Sequence, residues 1–239
     1  MQLTVGRPMK RTTITFAPLF AVISASFLCS GVLGQIVAEH QGSNVPDDGE
    51  QTTRWVREAA PSGVIEGPAG DEKTPAWRIE QFQEGGPMAY DFVPSEEQHQ
   101  AAEERGWKLS VKLRVDEEGI GPNFCVCAYY AAPEQDIQYT LSFGATAKGE
   151  PIVALNTDAA DADQKFVVTG GTRSEFHLYE LIYDPVVKLA KLVIDGKEFA
   201  EGIRPDSNPN KVSRIGWGSR HTHATGAGEY NLVRFEILD

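Results

Sequence analysis

The sequence predicts an all-β protein, a two-sheet antiparallel sandwich with one short helix. Three observations predict it: apolar and polar side chains alternate in several short segments, turn residues separate those segments, and only one segment carries helix signals. The 239 residues suffice for one large sandwich domain, and 41% hydrophobic with 23% charged residues is typical of a globular protein. This composition excludes a wholly disordered chain, a collagen and a multi-span membrane protein.

The clearest strand signals are segments in which every second side chain is apolar. They are Leu109–Val115, Ile137–Phe143 and Val233–Ile237. Such alternation predicts strands with one face in the core and the other toward solvent. Two more segments, Phe124–Tyr130 and Phe176–Tyr183, are apolar on both faces, which predicts central strands covered on both sides.

The helix and one hairpin have their own local signals. A helix is predicted over Ser95–Arg105, because Ser95 is a good N-cap, Gln98 completes a capping box and Gly106 ends the run. Asp195-Gly196 lies between two short apolar segments, and this dipeptide tolerates the positive φ angles of a type I′ turn. The segment therefore predicts a β-hairpin.

The amino terminus, residues 1–34, has the three parts of a secretory signal peptide. A basic start ends at Lys10-Arg11, an apolar run covers Ile14–Leu28, and small residues occupy Val32–Gly34. This pattern predicts cleavage after Gly34 and a secreted, periplasmic or cell-surface protein. The alternative is an uncleaved anchor, because Ile14–Leu33 is about as long as a bilayer-spanning helix.

The rest of the chain divides into two predicted regions. Residues 35–54 are polar and lack periodicity, which predicts a disordered linker. Residues 55–239 hold the strand signals and form the predicted sandwich domain. Cys125 and Cys127 lie two residues apart in a strand, where their spacing fits a disulfide poorly, so they are predicted to be small buried side chains.

The net charge of the chain limits which binding partners are expected. The chain has 34 Asp and Glu against 22 Lys and Arg, for a net charge of −12, and no basic stripe interrupts the acidic surface. An acidic surface repels phosphate groups, so nucleic acid is excluded as an expected partner, and so is an anionic membrane after signal cleavage.

Several segments resemble the laminin-G-like and concanavalin-A-like jelly rolls, above all the lectin-type domains of secreted bacterial sialidases. The resemblance covers about residues 56–239 and rests on the order of short motifs: Ala89-Tyr90-Asp91-Phe92, Gly106-Trp107-Lys108-Leu109, Tyr179 to Pro185, Leu192 to Gly196, Ile215-Gly216-Trp217-Gly218-Ser219 and Asn231 to Phe235. It implies a jelly-roll sandwich, glycan binding at the concave face or the rim loops, and in some members a calcium ion. It does not imply an enzyme.

Catalytic motifs of related jelly rolls are incomplete in this chain. Glu134 and Asp136 match part of the carboxylate pattern of laminarinase-type hydrolases, but the third carboxylate of that pattern is missing. Arg173-Ser174-Glu175 matches one strand of the alginate lyases, and the other strands of that family are absent. A hydrolase or polysaccharide lyase therefore stays the alternative to a binding module.

Candidate sugar-binding residues lie in two places. Trp217 is flanked by glycines and followed by Arg220, His221 and His223, so its indole is predicted to stack on a sugar while these side chains donate hydrogen bonds. The alternative is that Trp217 packs in the core. The two histidines of His221-Thr222-His223 also have a spacing that suits a metal, with solvent-exposed loop histidines as the alternative.

Two polar residues in the predicted strand Phe176–Tyr183 form the second place. His177 and Glu180 are either satisfied buried groups or a polar spot on the concave sheet that binds sugar.

A candidate calcium site follows from four oxygen-bearing side chains within eight residues. They are Asn156, Asp158, Asp161 and Asp163. A solvated acidic loop is the alternative.

Taken together, the sequence predicts a secreted, non-catalytic carbohydrate-binding or surface-interaction module. Its expected partners are polysaccharides or glycoconjugates, and no cofactor is required, with Ca²⁺ as the one candidate ion. The alternatives are a glycan-active enzyme on the same fold and a structural or adhesion protein without a glycan ligand. Sequence leaves the natural ligand and the oligomeric state open.

Overall fold

The computed structural model describes nine ranges of the chain: residues 34–48, 53–58, 64–82, 88–115, 126–132, 136–156, 164–208, 211–219 and 225–239. These ranges contain sixteen strands and one helix. In chain order the elements are β1 (Gln35–Gln41), β2 (Val56–Arg57), β3 (Val64–Gly70), β4 (Pro75–Gln81), β5 (Met88–Phe92), α1 (Glu96–Arg105), β6 (Trp107–Val115), β7 (Val126–Ala132), β8 (Ile137–Ala145), β9 (Pro151–Asn156), β10 (Gln164–Val167), β11 (His177–Asp184), β12 (Leu189–Ile194), β13 (Lys197–Ile203), β14 (Asp206–Ser207), β15 (Arg214–Ser219) and β16 (Gly226–Ile237).

The strands form two antiparallel sheets. Sheet A has the order β13-β12-β11-β6-β16-β4-β3, and β1 pairs with the second half of β16. Sheet B has the order β10-β9-β8-β7-β15-β5-β2, and β14 pairs with β8. This arrangement confirms the predicted all-β jelly-roll sandwich.

The core lies between the two sheets and is rich in aromatic rings. Trp107 of β6 stacks on Tyr183 and Phe235, with ring centroids 5.5 and 5.6 Å apart, and meets Tyr130 of sheet B edge-on at 5.1 Å. These side chains are each at most 5% exposed. Because each buries a large apolar area, they supply much of the attraction that holds the sheets together.

The predicted helix is confirmed. Ser95 and Gln98 form a full capping box, in which each side chain accepts a hydrogen bond from the backbone N–H of the other residue. His99 fixes the helix to sheet B, because its Nδ1 lies 2.9 Å from the Tyr130 hydroxyl. Gly106 ends the helix with φ 90°, a conformation that glycine adopts without strain.

The predicted Asp-Gly hairpin is also confirmed. Asp195 and Gly196 join β12 to β13 with φ angles of 50° and 76°, the pair of positive angles that a type I′ turn requires.

Strand β11 differs from its prediction. It runs over His177–Asp184, and its side chains alternate between buried and half-buried. The strand is central within sheet A, but only its inner face is covered, so the expectation of two covered faces is wrong here. Strand β7, by contrast, is buried at every position, as predicted for its segment from Val126 onward.

The predicted linker, residues 35–54, needs a larger correction. Residues 35–41 form β1, which pairs with β16 in sheet A, and Val37, Ala38 and His40 are buried. The Trp55 indole N–H donates to the Glu39 carbonyl at 3.1 Å, which holds the following segment against the strand. The sandwich therefore begins at β1 and not at Trp55.

Candidate functional site

Trp217, the first predicted sugar contact, lies in the core. Its side chain is fully buried, and its ring stacks on Tyr90 at 5.0 Å and meets Trp55 edge-on at 6.0 Å. The flanking Gly218 lets β15 approach β5 closely, because a Cβ at this position would overlap the Met88 carbonyl. The expectation that this indole stacks on a sugar is therefore corrected: the alternative, a core tryptophan, is the one observed.

Six other predicted site residues are not covered by the described ranges. Arg220, His221 and His223 fall outside them, as do Asp158, Asp161 and Asp163 of the candidate calcium site. Asn156, the fourth residue of that site, is the last residue of β9. The sugar-binding and calcium-binding roles of these residues therefore remain predictions.

His177 and Glu180 are both described, and the structure separates them. Glu180 lies on the outer face of sheet A, where its carboxylate is 3.5 Å from the Lys108 ammonium and 3.4 Å from the Ser110 hydroxyl. His177 points to the inner face at the end of β11 and is only 6% exposed. The two side chains therefore do not form one site.

His177 lines a groove of about 660 Å³ at one end of sheet A, which we call the His177 groove. Five parts of the chain build it: the turn between β3 and β4, the outer face of β6, the β10–β11 loop (residues 168–176), the first residue of β11 and the β12–β13 turn. Its lining residues are Thr74, Lys112, Arg114, Thr169, Gly170, Gly171, Ser174, Glu175, Phe176, His177 and Asp195.

The wall of the groove nearest β3 and β4 is a well-ordered turn. Asp71 accepts hydrogen bonds from the Thr74 and Lys73 backbone N–H groups at 2.8 and 2.9 Å, and from the Thr74 hydroxyl at 3.0 Å. The hydrogen bonds from Thr74, followed by the one from Lys73, lower the pKa of the exposed Asp71 carboxyl. Thr74 is thus held at the rim by the turn.

Two cations line the groove, and their surroundings differ. Arg114 donates from Nε to Glu229 at 2.9 Å, and its Nη2 lies 2.8 Å from the same carboxylate oxygen. Its guanidinium lies 4.9 Å from the centroid of the Phe176 ring. Lys112, two residues earlier on the same face of β6, has no ion pair within the described part of the chain. The groove therefore combines one ion-paired cation, whose partner Glu229 also pairs with Arg78, a half-buried aromatic ring, and one cation without an ion pair to a described carboxylate.

The two carboxylates of the groove are engaged in local structure. Asp195 accepts the Leu178 backbone N–H at 2.9 Å and lies 2.7 Å from Nδ1 of His177. Glu175 lies 3.3 Å from the Thr172 backbone N–H, which donates to it. Both acids stabilise the β10–β11 loop and its neighbouring turn.

A second polar cluster covers the outer face of sheet B. The Tyr129 hydroxyl donates to Asp91, and Arg214 donates to Asp91 at 2.6 Å and to Glu58 at 2.9 Å. Asp91 is 6% exposed and Tyr129 is fully buried. Asp91 and Tyr129 are therefore held by hydrogen bonds inside the protein, whereas the side chains of Arg214 and Glu58 stay 25% and 31% exposed.

The residues that match parts of hydrolase and lyase motifs do not lie together in the described structure. Asp136 sits in a tight turn and pairs with Lys211 at 3.5 Å, whereas Arg173 packs against Gly149 on another loop. Glu134 lies outside the described ranges. Within those ranges, no group of three His, Cys, Asp or Glu side chains is placed to hold a metal ion.

Comparison by sequence finds similarity to a bacterial enzyme. No protein-family model matches the chain. Over 177 residues, or 74% of its length, the chain is 27% identical to the sialidase of two strains of Vibrio cholerae serotype O1. The chain is similar to part of a bacterial sialidase. It spans about a fifth of the length of these curated relatives, whose matched part is 20% of each.

Solved structures agree on the fold. A carbohydrate esterase of the Shiga toxin-encoding bacteriophage phi24B superposes with a TM-score of 0.64 and 13% identity, over 86% of this chain and 100% of that one. The binding domain of botulinum neurotoxin serotype D gives 0.52 and 10% identity, over 86% of this chain and 49% of that one. At these low identities, the structural similarity shows only that the sandwich fold is shared. The similarity in sequence to a sialidase confirms the resemblance to sialidase domains that the motifs indicated.

Sequence reasoning missed Lys112, Arg114 and Phe176 as site residues. The strand pattern did place Lys112 and Arg114 on the outward face of β6, and Phe176 directly precedes β11. What the sequence did not show is that the β10–β11 loop and this face of β6 line one groove, because residues far apart in sequence meet there.

No helix in the described part of the chain has the length and apolar character needed to span a membrane.

Proposed function

We propose that this sandwich is a non-catalytic carbohydrate-binding module that binds an acidic sugar, of the sialic acid type, in the His177 groove. The observation that carries the proposal is Lys112, a cation without a described ion pair, in the same groove as the half-buried Phe176 ring. The similarity to a sialidase, an enzyme named for its action on sialic acid, supports the choice of sugar.

The groove offers each type of contact that such a sugar requires. The Lys112 ammonium donates to the sugar carboxylate, and the Phe176 ring presents an apolar surface to the sugar ring. The hydroxyls of Thr169 and Ser174, both exposed, are available to sugar hydroxyls. A shallow groove of this kind buries little area, so the expected dissociation constant is about 10⁻⁴ to 10⁻⁶ M.

The proposal of a non-catalytic role rests on the carboxylates. Most glycoside hydrolases use two carboxyl groups that are free to act as acid and as base or nucleophile, and sialidases use a Tyr nucleophile, which the described lining of the groove does not include. In the His177 groove, Asp195 and Glu175 are already hydrogen bonded to the backbone that forms the groove. This engagement supports binding without bond cleavage.

Isothermal titration with 3′-sialyllactose and with lactose tests the proposal. We expect sialyllactose to bind and lactose to bind at least about tenfold more weakly, because the carboxylate contact is lost. Lys112→Gln and Phe176→Ala should each weaken sialyllactose binding by a similar factor.

Lys191→Gln is the matched control, because Lys191 also lies on sheet A but pairs with Glu198 away from the groove. Equal affinity for the two sugars, or an unchanged affinity in Lys112→Gln, would show that the groove does not bind acidic sugars. Absence of binding across a wider glycan array would favour the structural or adhesion role.

We also propose that the protein acts outside the cytoplasm, after cleavage between Gly34 and Gln35. Supporting this position, β1 starts at Gln35, so cleavage there leaves the whole strand in the mature protein. Amino-terminal sequencing of the exported protein should give Gln-Ile-Val-Ala. A protein that retains residues 1–34 in the membrane fraction would instead support the anchor.

A further inference from the structure

The β10–β11 loop carries much of the proposed sugar site, including Phe176, Ser174 and Thr169. Its position determines whether these groups face Lys112 on β6. The contacts that hold this loop against the end of sheet A therefore control the proposed site.

His177 is fixed on one side by the β12–β13 turn. Its Nδ1 lies 2.7 Å from one carboxylate oxygen of Asp195, while the other oxygen accepts the Leu178 backbone N–H at 2.9 Å. The Asp195 backbone N–H in turn donates to the Leu178 carbonyl at 2.9 Å. These three contacts set the imidazole ring in one orientation.

On its other side the ring supports the loop. Gly171 lies directly against it, so that a Cβ at position 171 would overlap the ring at Cε1 and Nε2. The side chain of His177 is only 8% exposed, and its Nε2 has no hydrogen-bond partner in the described part of the chain. A ring so placed has little surface left for a ligand.

We propose that His177 is a positioning residue. Its ring is held by Asp195 and packs directly against Gly171. This contact fixes the β10–β11 loop in its sugar-binding position. This inference rests on the proposed function for its effect on binding, and it changes the predicted role of His177 from sugar contact to support of the loop. Glycine is required at position 171 because any side chain would push the loop off the ring.

Two measurements test the inference on four variants. The variants are Gly171→Ala, His177→Ala, the double variant, and Gly67→Ala as the control. Gly67 lies in β3, where an added Cβ meets nothing within 4 Å. The first measurement is the amide hydrogen exchange of Arg173 and Glu175, whose N–H groups donate to Gly149 at 3.0 Å and to Thr172 at 2.9 Å. The second is the affinity for 3′-sialyllactose.

We expect Gly171→Ala to speed exchange at Arg173 and Glu175 and to weaken sialyllactose binding by about tenfold, because the loop is no longer pre-organised. The double variant should resemble His177→Ala alone, since without the ring the added methyl group meets no obstacle. Such non-additivity identifies the contact between the two residues, which a general loss of stability does not produce. Gly67→Ala should match the wild type in both measurements.

Exchange rates in Gly171→Ala equal to those of the wild type would overturn the inference. Additive effects in the double variant would do the same. If the wild type binds no sialyllactose, the proposed function fails, and the exchange rates alone then decide whether His177 positions the loop.

Discussion

The imidazole of His40 stacks on the indole of Trp217, with ring centroids 4.7 Å apart and planes 28° from parallel. His40 belongs to β1 in sheet A and Trp217 to β15 in sheet B, so the pair joins the two sheets, and both side chains are fully buried. Burial lowers the pKa of His40 to about 4, against a smaller raising effect of the Gly42 backbone. His40 is therefore neutral in the folded protein at neutral pH.

This pKa predicts acid sensitivity. In the unfolded chain His40 takes up a proton near pH 6.5, while in the folded protein it does so only near pH 4. The unfolded state therefore binds more protons between these values. The free energy of unfolding should fall by about 3 kcal/mol as the pH drops from 6.5 to 4. Urea denaturation across this range measures the change.

His40→Phe is the control for this prediction, because phenylalanine keeps a stacked ring and cannot take up a proton. The variant should lose about 3 kcal/mol less than the wild type over the same pH range. Identical pH dependence in the two proteins would show that His40 is not the titrating group.

The burial of Trp217 predicts a separation of stability from binding. Trp217→Phe should lower the free energy of unfolding by about 1–3 kcal/mol, because it leaves a cavity in the core, and should leave the affinity for sialyllactose unchanged. Phe176→Ala should weaken sialyllactose binding and leave the free energy of unfolding nearly unchanged. Denaturation and calorimetry on both variants check this, and a Trp217→Phe variant that folds normally but loses sugar binding would contradict it.

Strand β1 predicts where the domain can be shortened. A chain that starts at Arg54 lacks the strand that covers one edge of β16, and should be less stable than one that starts at Gly34 by at least about 3 kcal/mol. Thermal unfolding of the two chains measures the difference. Equal midpoints would mean that the removed segment behaves as the linker that the sequence predicts over residues 35–54.

The candidate calcium site predicts a metal effect. If Asn156, Asp158, Asp161 and Asp163 bind Ca²⁺, calorimetry should give a dissociation constant of about 10⁻³ to 10⁻⁴ M, the range of extracellular modules. Ca²⁺ should also raise the melting temperature, and EDTA should reverse the rise. An Asp158→Asn/Asp161→Asn variant should lose both effects. No heat of binding in the wild type would leave a solvated acidic loop as the better interpretation.

The sequence was most informative where one local pattern decides the structure. The capping box of α1 and the Asp195-Gly196 turn each depend on two or three neighbouring residues, and both were predicted. Strand β1 was missed because a β-bulge between Ile36 and Ala38 breaks its alternation, so that its burial pattern has no period of two.

The candidate site depended on contacts that no local pattern contains. Glycines beside Trp217 suit a surface loop as well as a close approach of two strands, and only the position of β5 decides between them. The His177 groove joins Thr74, Lys112, Gly171 and Asp195, which lie far apart in sequence. Tertiary packing brings them together, and hydrophobic periodicity carries no information about it.

The place of β16 in sheet A has a consequence for synthesis. This strand pairs with β6 on one side and with β4 and β1 on the other, so the middle of sheet A is filled by the strand that comes last in chain order among the described ones. While residues 226–237 are still within the ribosome, β1 and β4 have no neighbour to join them to β6, and the growing polypeptide has no complete sheet to collapse onto. Native pairing of sheet A is therefore completed only after residues 226–237 have been synthesised, so β1 and β4 take their final places late in folding.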